Sequence, residues 1–145
     1  MGNAEDEANA AMVERFWAAL GRRDFDAVGA FMAPDGHYVD VPVKDLETGA
    51  YGPAETTSRV RLGLGPLQEY VLHEGPIIAS GGYVVTEHRE TWTWEPGVSM
   101  TLPFTSVMQV SGGKIDRWWD YFDLAVIMNA APAWWVEHIM AGSYK

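Results

Sequence analysis

Apolar positions in the first half of the chain recur with a helical period. Residues 4–21 are predicted to form an α-helix, because one apolar stripe runs along them: Met12, Val13, Phe16, Trp17 and Leu20. A short second helix after Asp24 is predicted to bury Phe25, Val28, Phe31 and Met32. The "APDG" of residues 33–36 is typical of a turn. Residues 52–64 are predicted to form a third helix, with Pro53 at its first position.

From residue 68 onward the pattern changes to the alternation of β-strands. The segments are "QEYVLHEGPIIAS", "GGYVVTEHRETWTW", "VSMTLPFTSVMQV" and "GKIDRWWDYFD", divided by the turn signals "SGG", "EPG" and "SGG". An earlier strand is predicted in "HYVDVPV", ending near Pro42, and a loop over residues 44–53. Residues 124–140 are predicted to be helical, with an interruption at Pro132.

Helices first and strands after them favour an α+β fold. We expect a single domain over residues 1–145, in which a curved, mostly antiparallel sheet wraps around the N-terminal helices. Such a sheet forms a cone with an apolar pocket, and small molecules bind in cavities of this kind.

Three predicted strands place ionisable side chains on the same face as aromatic ones, since alternate residues of a strand share a face. In "HYVDVPV" one face carries Tyr38 and Asp40. In "TEHRETWTW" one face carries His88, Glu90, Trp92 and Trp94. In "DRWWDYFD" one face carries Trp118, Asp120 and Phe122. A buried, unpaired carboxyl group has a raised pKa, and a protonated acid beside an ionised one forms an acid/base pair.

These faces define a candidate site. The predicted catalytic residues are Tyr38, Asp40, His88, Glu90 and Asp120. The predicted substrate-binding residues are Trp92, Trp94, Phe104, Trp118 and Phe122. A simpler alternative is that His88 and Glu90 form a buried pair without a chemical role.

A metal site made of two histidines and one carboxylate is a further alternative. The other histidines, His37, His73 and His138, lie outside the inward pattern, so no metal is predicted. The sequence has no Gly-rich phosphate loop and no nucleophile-elbow motif, and no cofactor is predicted.

Charge and composition exclude several classes of partner. The formal net charge of −10 disfavours nucleic acids and anionic membranes. No apolar run approaches the roughly 20 residues of a membrane span, and the N-terminus lacks the features of a signal peptide. The chain has no cysteine, which fits a reducing compartment. We therefore expect a cytoplasmic protein whose partner is a small apolar substrate.

The segments "GKIDRWWDYFDL", "VVTEHRE" and "YVDVPV" resemble the limonene-1,2-epoxide hydrolase family. That family and the SnoaL-like proteins share the fold of nuclear transport factor 2 (NTF2) and ketosteroid isomerase. The resemblance implies that Asp120 is the base that activates water, while Tyr38 and Asp40 hold this water. It also implies that Glu90 protonates the epoxide oxygen. His88 replaces an arginine of the family and would organise the carboxylates.

Three functions remain open at this point. The first is hydrolysis of an epoxide on an apolar, terpenoid or aromatic substrate, without a cofactor. The second is a lyase, dehydratase or isomerase, in which His88 moves a proton together with Asp40 or Asp120. Tyr38 would then stabilise the developing oxyanion. The third is a binding module without catalysis, in which tryptophans fill the pocket.

Two features concern assembly. Analogy with the fold predicts a homodimer formed through the convex face of the sheet. The apolar segment "PAWWVEHIM" near the C-terminus either caps the pocket or packs on a neighbouring molecule.

Overall fold

A computed structural model of the chain describes residues 3–43 and 49–143. The α-helices in this part of the chain are α1 (Ala4–Gly21), α2 (Phe25–Ala30), α3 (Gly52–Leu64), α4 (Leu124–Ala130) and α5 (Ala133–Ala141). The strands there are β1 (Met32–Asp40), β2 (Ala50–Tyr51), β3 (Glu69–His73), β4 (Ile77–Ser80), β5 (Tyr83–Glu95), β6 (Val98–Ser111) and β7 (Lys114–Phe122). A short 3-10 turn, Val41–Val43, follows β1.

The strands form one curved, open sheet with the order β2-β1-β7-β6-β5-β3, and β4 pairs with β5 beside β3. All of its pairings are antiparallel except the parallel pairing of β1 with β7. Strand β7 is the last strand of the β5–β6–β7 meander and lies beside β1. Many residues separate β1 from β7 in the chain, which gives the long connection that a parallel pair requires. The predicted α+β fold with a mostly antiparallel sheet is confirmed.

Helix α1 lies against the concave face of this sheet. The side chain of Asn3 caps the helix by accepting a hydrogen bond from the backbone N–H of Asp6, at 2.8 Å. The Asp6 carboxylate in turn accepts from the N–H of Gly81, at 3.1 Å, which ties the helix start to the β4–β5 turn. The predicted apolar stripe is buried, and Phe16 makes an edge contact with Trp118 of β7 at 4.8 Å between ring centroids. The inside of the cone is therefore an aromatic core.

The long strands β5, β6 and β7 alternate between buried and more exposed residues, as predicted. Gly112 and Gly113 connect β6 to β7, and both have positive φ angles, 56° and 75°. Two successive residues with positive φ angles form a tight turn that matches the twist of a β-hairpin. Glycine adopts a positive φ angle without a steric cost. The turn starts the pairing of β6 with β7, and a register shift of one residue between Gln109 and Val110 then places Ser106 opposite Asp120.

Several predicted boundaries are confirmed, namely the helices at residues 4–21 and 52–64 and the interruption before α5, where Pro132 is the N-cap. The predicted turn at residues 33–36 is wrong. These residues form a bulge within β1, where β1 advances five residues between Met32 and His37 while β7 advances two between Ile115 and Arg117. The turn-forming residues "PDG" fit within the strand because a bulge leaves their backbone groups out of the pairing with the neighbouring strand.

Two further predictions need correction. Met32, assigned to the second helix, is the first residue of β1 and is buried. Part of the predicted loop at residues 44–53 forms β2, which pairs with β1, and residues 44–48 lie outside the described residues. In the described part of the chain, no helix combines the length and the hydrophobicity that crossing a membrane requires.

Candidate active site

A cavity of about 460 Å³ lies between the concave face of the sheet and the helices. Its volume is within the range of small-molecule sites, roughly 300–1,000 Å³. The polar residues that line it are Tyr38, Asp40, Arg59, Glu90 and Asp120. Most other lining residues are apolar, including Trp92, Leu102, Phe104, Trp118, Phe122 and Trp135. The site thus combines a small polar cluster with an apolar wall.

Asp120 lies at the centre of the polar cluster. The parallel register of β1 and β7 places it opposite Asp40, and the antiparallel register of β6 and β7 places it opposite Ser106. Its Oδ1 accepts hydrogen bonds from the indole N–H of Trp118, at 2.7 Å, and from the Ser106 hydroxyl. Its Oδ2 has no hydrogen-bond partner among the described residues. The carboxyl group is therefore held in place through one oxygen while the other stays available.

Burial raises the pKa of Asp120 well above its usual value, and the charge of Asp40 raises it further. The hydrogen bonds from Ser106 and Trp118 act in the opposite direction, because they stabilise the ionised form. The result is a carboxylate that is more basic than one in water but still has two donors to stabilise its charge. These are the properties of a general base.

Asp40 is part of a second group with Tyr38 and Arg59. The Tyr38 hydroxyl lies 3.1 and 3.2 Å from the two oxygens of Asp40 and donates to this carboxylate. Arg59 Nη2 donates to Asp40 Oδ2 at 3.0 Å, and the guanidinium lies 4.9 Å above the Tyr38 ring. That ring stacks on Trp118 at 3.8 Å with an angle of 9° between the planes. Arg59 thus balances the charge of Asp40 next to Asp120.

Tyr38 keeps its proton in this environment. Burial raises its pKa well above the usual value, and the charges of Asp40 and Asp120 add to this effect. A phenol that stays protonated can orient a bound water or donate to an oxygen that becomes negative.

Glu90 is the second buried carboxyl group of the cavity. The hydroxyl of Tyr70, on the neighbouring strand β3, donates to its Oε2. Burial raises the pKa of Glu90 to about 7, although the hydrogen bond from Tyr70 lowers it. Glu90 can therefore carry a proton near neutral pH. The Trp92 indole also lowers this pKa, and the charge of Asp40 raises it. Two buried carboxyl groups with raised pKa values in one cavity are suited to serve as base and acid.

His88 does not lie with the carboxyl groups. Its Nδ1 bonds to the carbonyl oxygen of His73 at 3.2 Å, so Nδ1 carries the proton. Its ring packs between Trp17 of α1, at 4.7 Å, and Phe104, at 5.3 Å. Burial lowers the pKa of His88, so the ring is neutral at neutral pH. The role predicted for His88, to organise the carboxylates, is not supported by these contacts, because Phe104 and Trp17 occupy the space around the ring.

The predicted aromatic residues divide into two groups. Trp92, Phe104, Trp118 and Phe122 line the cavity. Trp94 does not belong to the lining residues and instead packs against Trp92, at 5.8 Å, and Trp135, at 5.7 Å. It shares the buried face of β5 with Trp92, and its contacts hold the Trp92 and Trp135 rings in place.

Sequence analysis missed three polar residues of the site. Arg59 follows Thr56 by three positions on α3, and Thr56 belongs to the buried stripe of that helix, so the helical period places Arg59 beside the core. Tyr70 and Ser106 lie on the inward faces of their strands by alternation, and both are buried or bonded to a buried carboxyl group. In the described part of the chain, no group of three or more His, Asp or Glu side chains is arranged to hold a metal ion.

The C-terminal helices close one side of the cavity. The indole N–H of Trp135 donates to the carbonyl of Gly63 at 3.0 Å, and His138 Nε2 donates to the carbonyl of Leu62 at 3.1 Å. These carbonyls belong to the last turn of α3, where helical partners are missing. Of the two alternatives for "PAWWVEHIM", the segment therefore packs on the cavity of its own chain.

The pair of Arg59 and Asp40 is expected to stabilise the fold. Replacing Arg59 with methionine should lower the free energy of unfolding by about 2 kcal/mol, because Asp40 loses a charged hydrogen-bond donor in a site where its side chain is only 22% exposed. Denaturant unfolding measures this change. The matched control is Arg61→Met on the same helix, where the pair with Asp26 is exposed and should contribute less than about 0.5 kcal/mol. Equal losses in the two variants would contradict the prediction.

Comparisons with known proteins agree with this geometry. The family model of the SnoaL-like domain matches residues 13–118. No curated protein sequence matches the chain at a significant level. The structure is similar to an LEH-like epoxide hydrolase of M. tuberculosis, with 26% identity, 94% of this chain and 96% of that chain covered, and a TM-score of 0.72.

Two other solved structures are similar in fold. An NTF2-like protein of unknown function from Burkholderia pseudomallei has 26% identity, with 87% of this chain and 98% of that chain covered and a TM-score of 0.75. A protein with a ketosteroid isomerase-like fold from Catenulispora acidiphila has 18% identity, with 82% and 90% covered and a TM-score of 0.73. The match over most of the chain, together with the open cone and its polar cluster, leads to one conclusion: the chain belongs to the family of SnoaL-like domains, within the NTF2-like superfamily.

Proposed function

We propose that the protein hydrolyses an epoxide on an apolar substrate without a cofactor, and that Asp120 activates the attacking water. The observation that carries this proposal is the hydrogen bonding of Asp120. Oδ1 is held by Trp118 and Ser106, and Oδ2 is left for a water molecule inside an apolar cavity. The similarity to an LEH-like epoxide hydrolase, at 26% identity over nearly the whole chain, supports the same reaction.

The reaction would proceed in one step. Oδ2 of Asp120 takes a proton from water while the water oxygen attacks one carbon of the epoxide ring. The C–O bond of that carbon breaks, and Glu90 gives its proton to the departing oxygen. The product is a vicinal diol, and a proton passes from Asp120 to solvent while Glu90 regains one. Both proton transfers occur away from bulk water, where each electrostatic interaction is stronger.

The remaining polar residues have supporting roles in this mechanism. Asp40 lies opposite Asp120 across the parallel strand pair, and Tyr38, which bonds to Asp40, positions the attacking water together with it. Arg59 pairs with Asp40 and compensates a negative charge beside the base. The tryptophan and phenylalanine side chains exclude water other than the reacting molecule.

The two other functions have less support. The lyase or isomerase reading relied on His88 as the group that moves the proton, but His88 does not belong to the residues that line the cavity. The binding-module reading relied on tryptophans that fill the pocket, whereas a cavity of about 460 Å³ remains between them.

The test is a product analysis with a panel of terminal, cyclic and aryl epoxides that carry apolar substituents. We expect diols, identified by mass spectrometry, at rates well above the reaction without enzyme. Products that are isomers of the substrate, such as ketones or allylic alcohols, would replace the proposal with an isomerase. Binding of the epoxides without turnover, seen as a change in tryptophan fluorescence, would replace it with a binding module.

A further inference from the structure

The hydrogen bond from Tyr70 to Glu90 connects a strand outside the predicted site with the proposed acid. Tyr70 lies on β3, opposite Trp92 and therefore diagonal to Glu90 on β5. Its hydroxyl donates to Glu90 Oε2. Both side chains are buried, with 7% and 8% of their surface exposed. Bulk water therefore does not compete for either group.

The direction of this hydrogen bond follows from the chemistry of the phenol. A phenol has one proton to donate, and Glu90 Oε2 is the only acceptor that the Tyr70 hydroxyl has in the described part of the chain. A buried hydroxyl that does not donate loses the hydrogen bond it made with water. Burial and the charge of Glu90 raise the pKa of Tyr70 well above its usual value, so the phenol keeps its proton. Oε2 is therefore an acceptor in both protonation states of Glu90.

We propose that Tyr70 is a positioning residue that ties Oε2 of Glu90 to the sheet and keeps the transferable proton on Oε1. This proposal rests on the proposed function, in which Glu90 is the acid. Asp120 is held in the same way, since donors from the sheet occupy Oδ1 and leave Oδ2. Each of the two carboxyl groups thus presents one defined oxygen to the substrate, which fixes the line along which the epoxide must lie.

Tyr70 also determines the pH at which the acid is lost. Burial raises the pKa of Glu90, and the charge of Asp40 raises it further, whereas the Tyr70 hydroxyl and the Trp92 indole stabilise the carboxylate and lower it. The balance leaves the pKa at about 7, and Tyr70 is the larger of the two lowering effects. Activity that needs protonated Glu90 falls as the pH rises through this value. Without the Tyr70 donor, the pKa of Glu90 rises, and the alkaline limb of the pH profile moves upward. A residue that only supports the fold would not move this limb.

The experiment compares the pH dependence of kcat/KM in wild type and Tyr70→Phe. We expect the alkaline limb to move upward by about one pH unit, and the maximum to fall about tenfold. The matched control is Tyr83→Phe, since Tyr83 lies exposed at the start of β5, and its profile should equal that of wild type. In a Glu90→Gln background, Tyr70→Phe should leave the pH profile unchanged. A lower rate with the alkaline limb in its original place would overturn the proposal.

A second measurement uses wild-type protein, so it depends neither on the folding of a variant nor on catalytic turnover. In wild-type protein labelled with carbon-13 at Cζ of tyrosine, the Tyr70 resonance should titrate with the midpoint of Glu90, near pH 7. A Tyr70 resonance that stays constant while Glu90 titrates would overturn the proposal. If wild type hydrolyses no epoxide but this titration is present, the proposed function is wrong and the coupling of the two side chains is retained.

Discussion

Replacing Asp120 with asparagine should lower kcat for epoxide hydrolysis by about 10³-fold, within the usual contribution of a general base. Asparagine has nearly the same shape, and its amide oxygen can still accept from Trp118 and Ser106, as Oδ1 does now. Its amide nitrogen has no basic lone pair, so no group is left to take the proton from water. The fold should be kept, because a buried charge is removed rather than added. Steady-state kinetics and thermal unfolding of the same sample measure both effects.

The matched control for this variant is Asp116→Asn. Asp116 lies on the same strand, is exposed, and bonds to Ser111 at the β6–β7 turn. Its replacement should leave kcat within about twofold of wild type, as expected for a surface change. If Asp120→Asn retained more than a tenth of the wild-type rate, Asp120 would not be the base, and the proposed mechanism would be lost.

Replacing Glu90 with glutamine should change activity and stability in opposite directions. Glutamine cannot give a proton to the epoxide oxygen, so kcat should fall by about 10²-fold or more at pH 6. The carboxyl group has a pKa of about 7 in the folded protein against an ordinary value of 4.5, so the folded state binds the proton more tightly. Wild type therefore loses stability as the pH rises from about 4.5 to 7, by about 3 kcal/mol in total. Glutamine stays neutral and avoids this loss.

Unfolding in denaturant at pH 5 and pH 8 tests the stability effect. The two proteins should be nearly equal at pH 5, and Glu90→Gln should be the more stable one at pH 8. The control is Glu87→Gln, an exposed position on the same strand, which should follow wild type at both values. The same dependence on pH in wild type and Glu90→Gln would mean that the buried carboxyl group is not protonated near neutral pH. It would also remove the acid from the mechanism.

Strand alternation was sufficient to find four of the groups in the cavity. Tyr38, Asp40, Glu90 and Asp120 lie on inward faces because the aromatic residues beside them fix which face of each strand is buried. The order of predicted helices and strands along the chain likewise indicated the α+β architecture. These inferences use only neighbours along one element, and such neighbours can be read from a sequence.

Contacts between elements could not be read in this way. His88 does face inward, but the alternation of residues along β5 does not show that the ring of Trp17, on α1, packs against the His88 ring. Arg59 reaches Asp40 across 19 residues of sequence, through a helix whose orientation on the sheet depends on tertiary packing. The parallel pairing that brings Asp40 beside Asp120 joins strands far apart in the chain. The sequence therefore indicated which residues enter the cavity, while their partners required the structure.

The central claim is that Asp120 activates water directly and forms no covalent bond with the substrate. A single turnover in oxygen-18 water, with the enzyme in excess over the epoxide, tests this claim most directly. The account predicts that each diol molecule of the first turnover contains one labelled oxygen, while the carboxyl group of Asp120 stays unlabelled. A first-turnover diol without label, followed by the appearance of label in Asp120, would contradict the account, because it requires an ester between Asp120 and the substrate that water then hydrolyses.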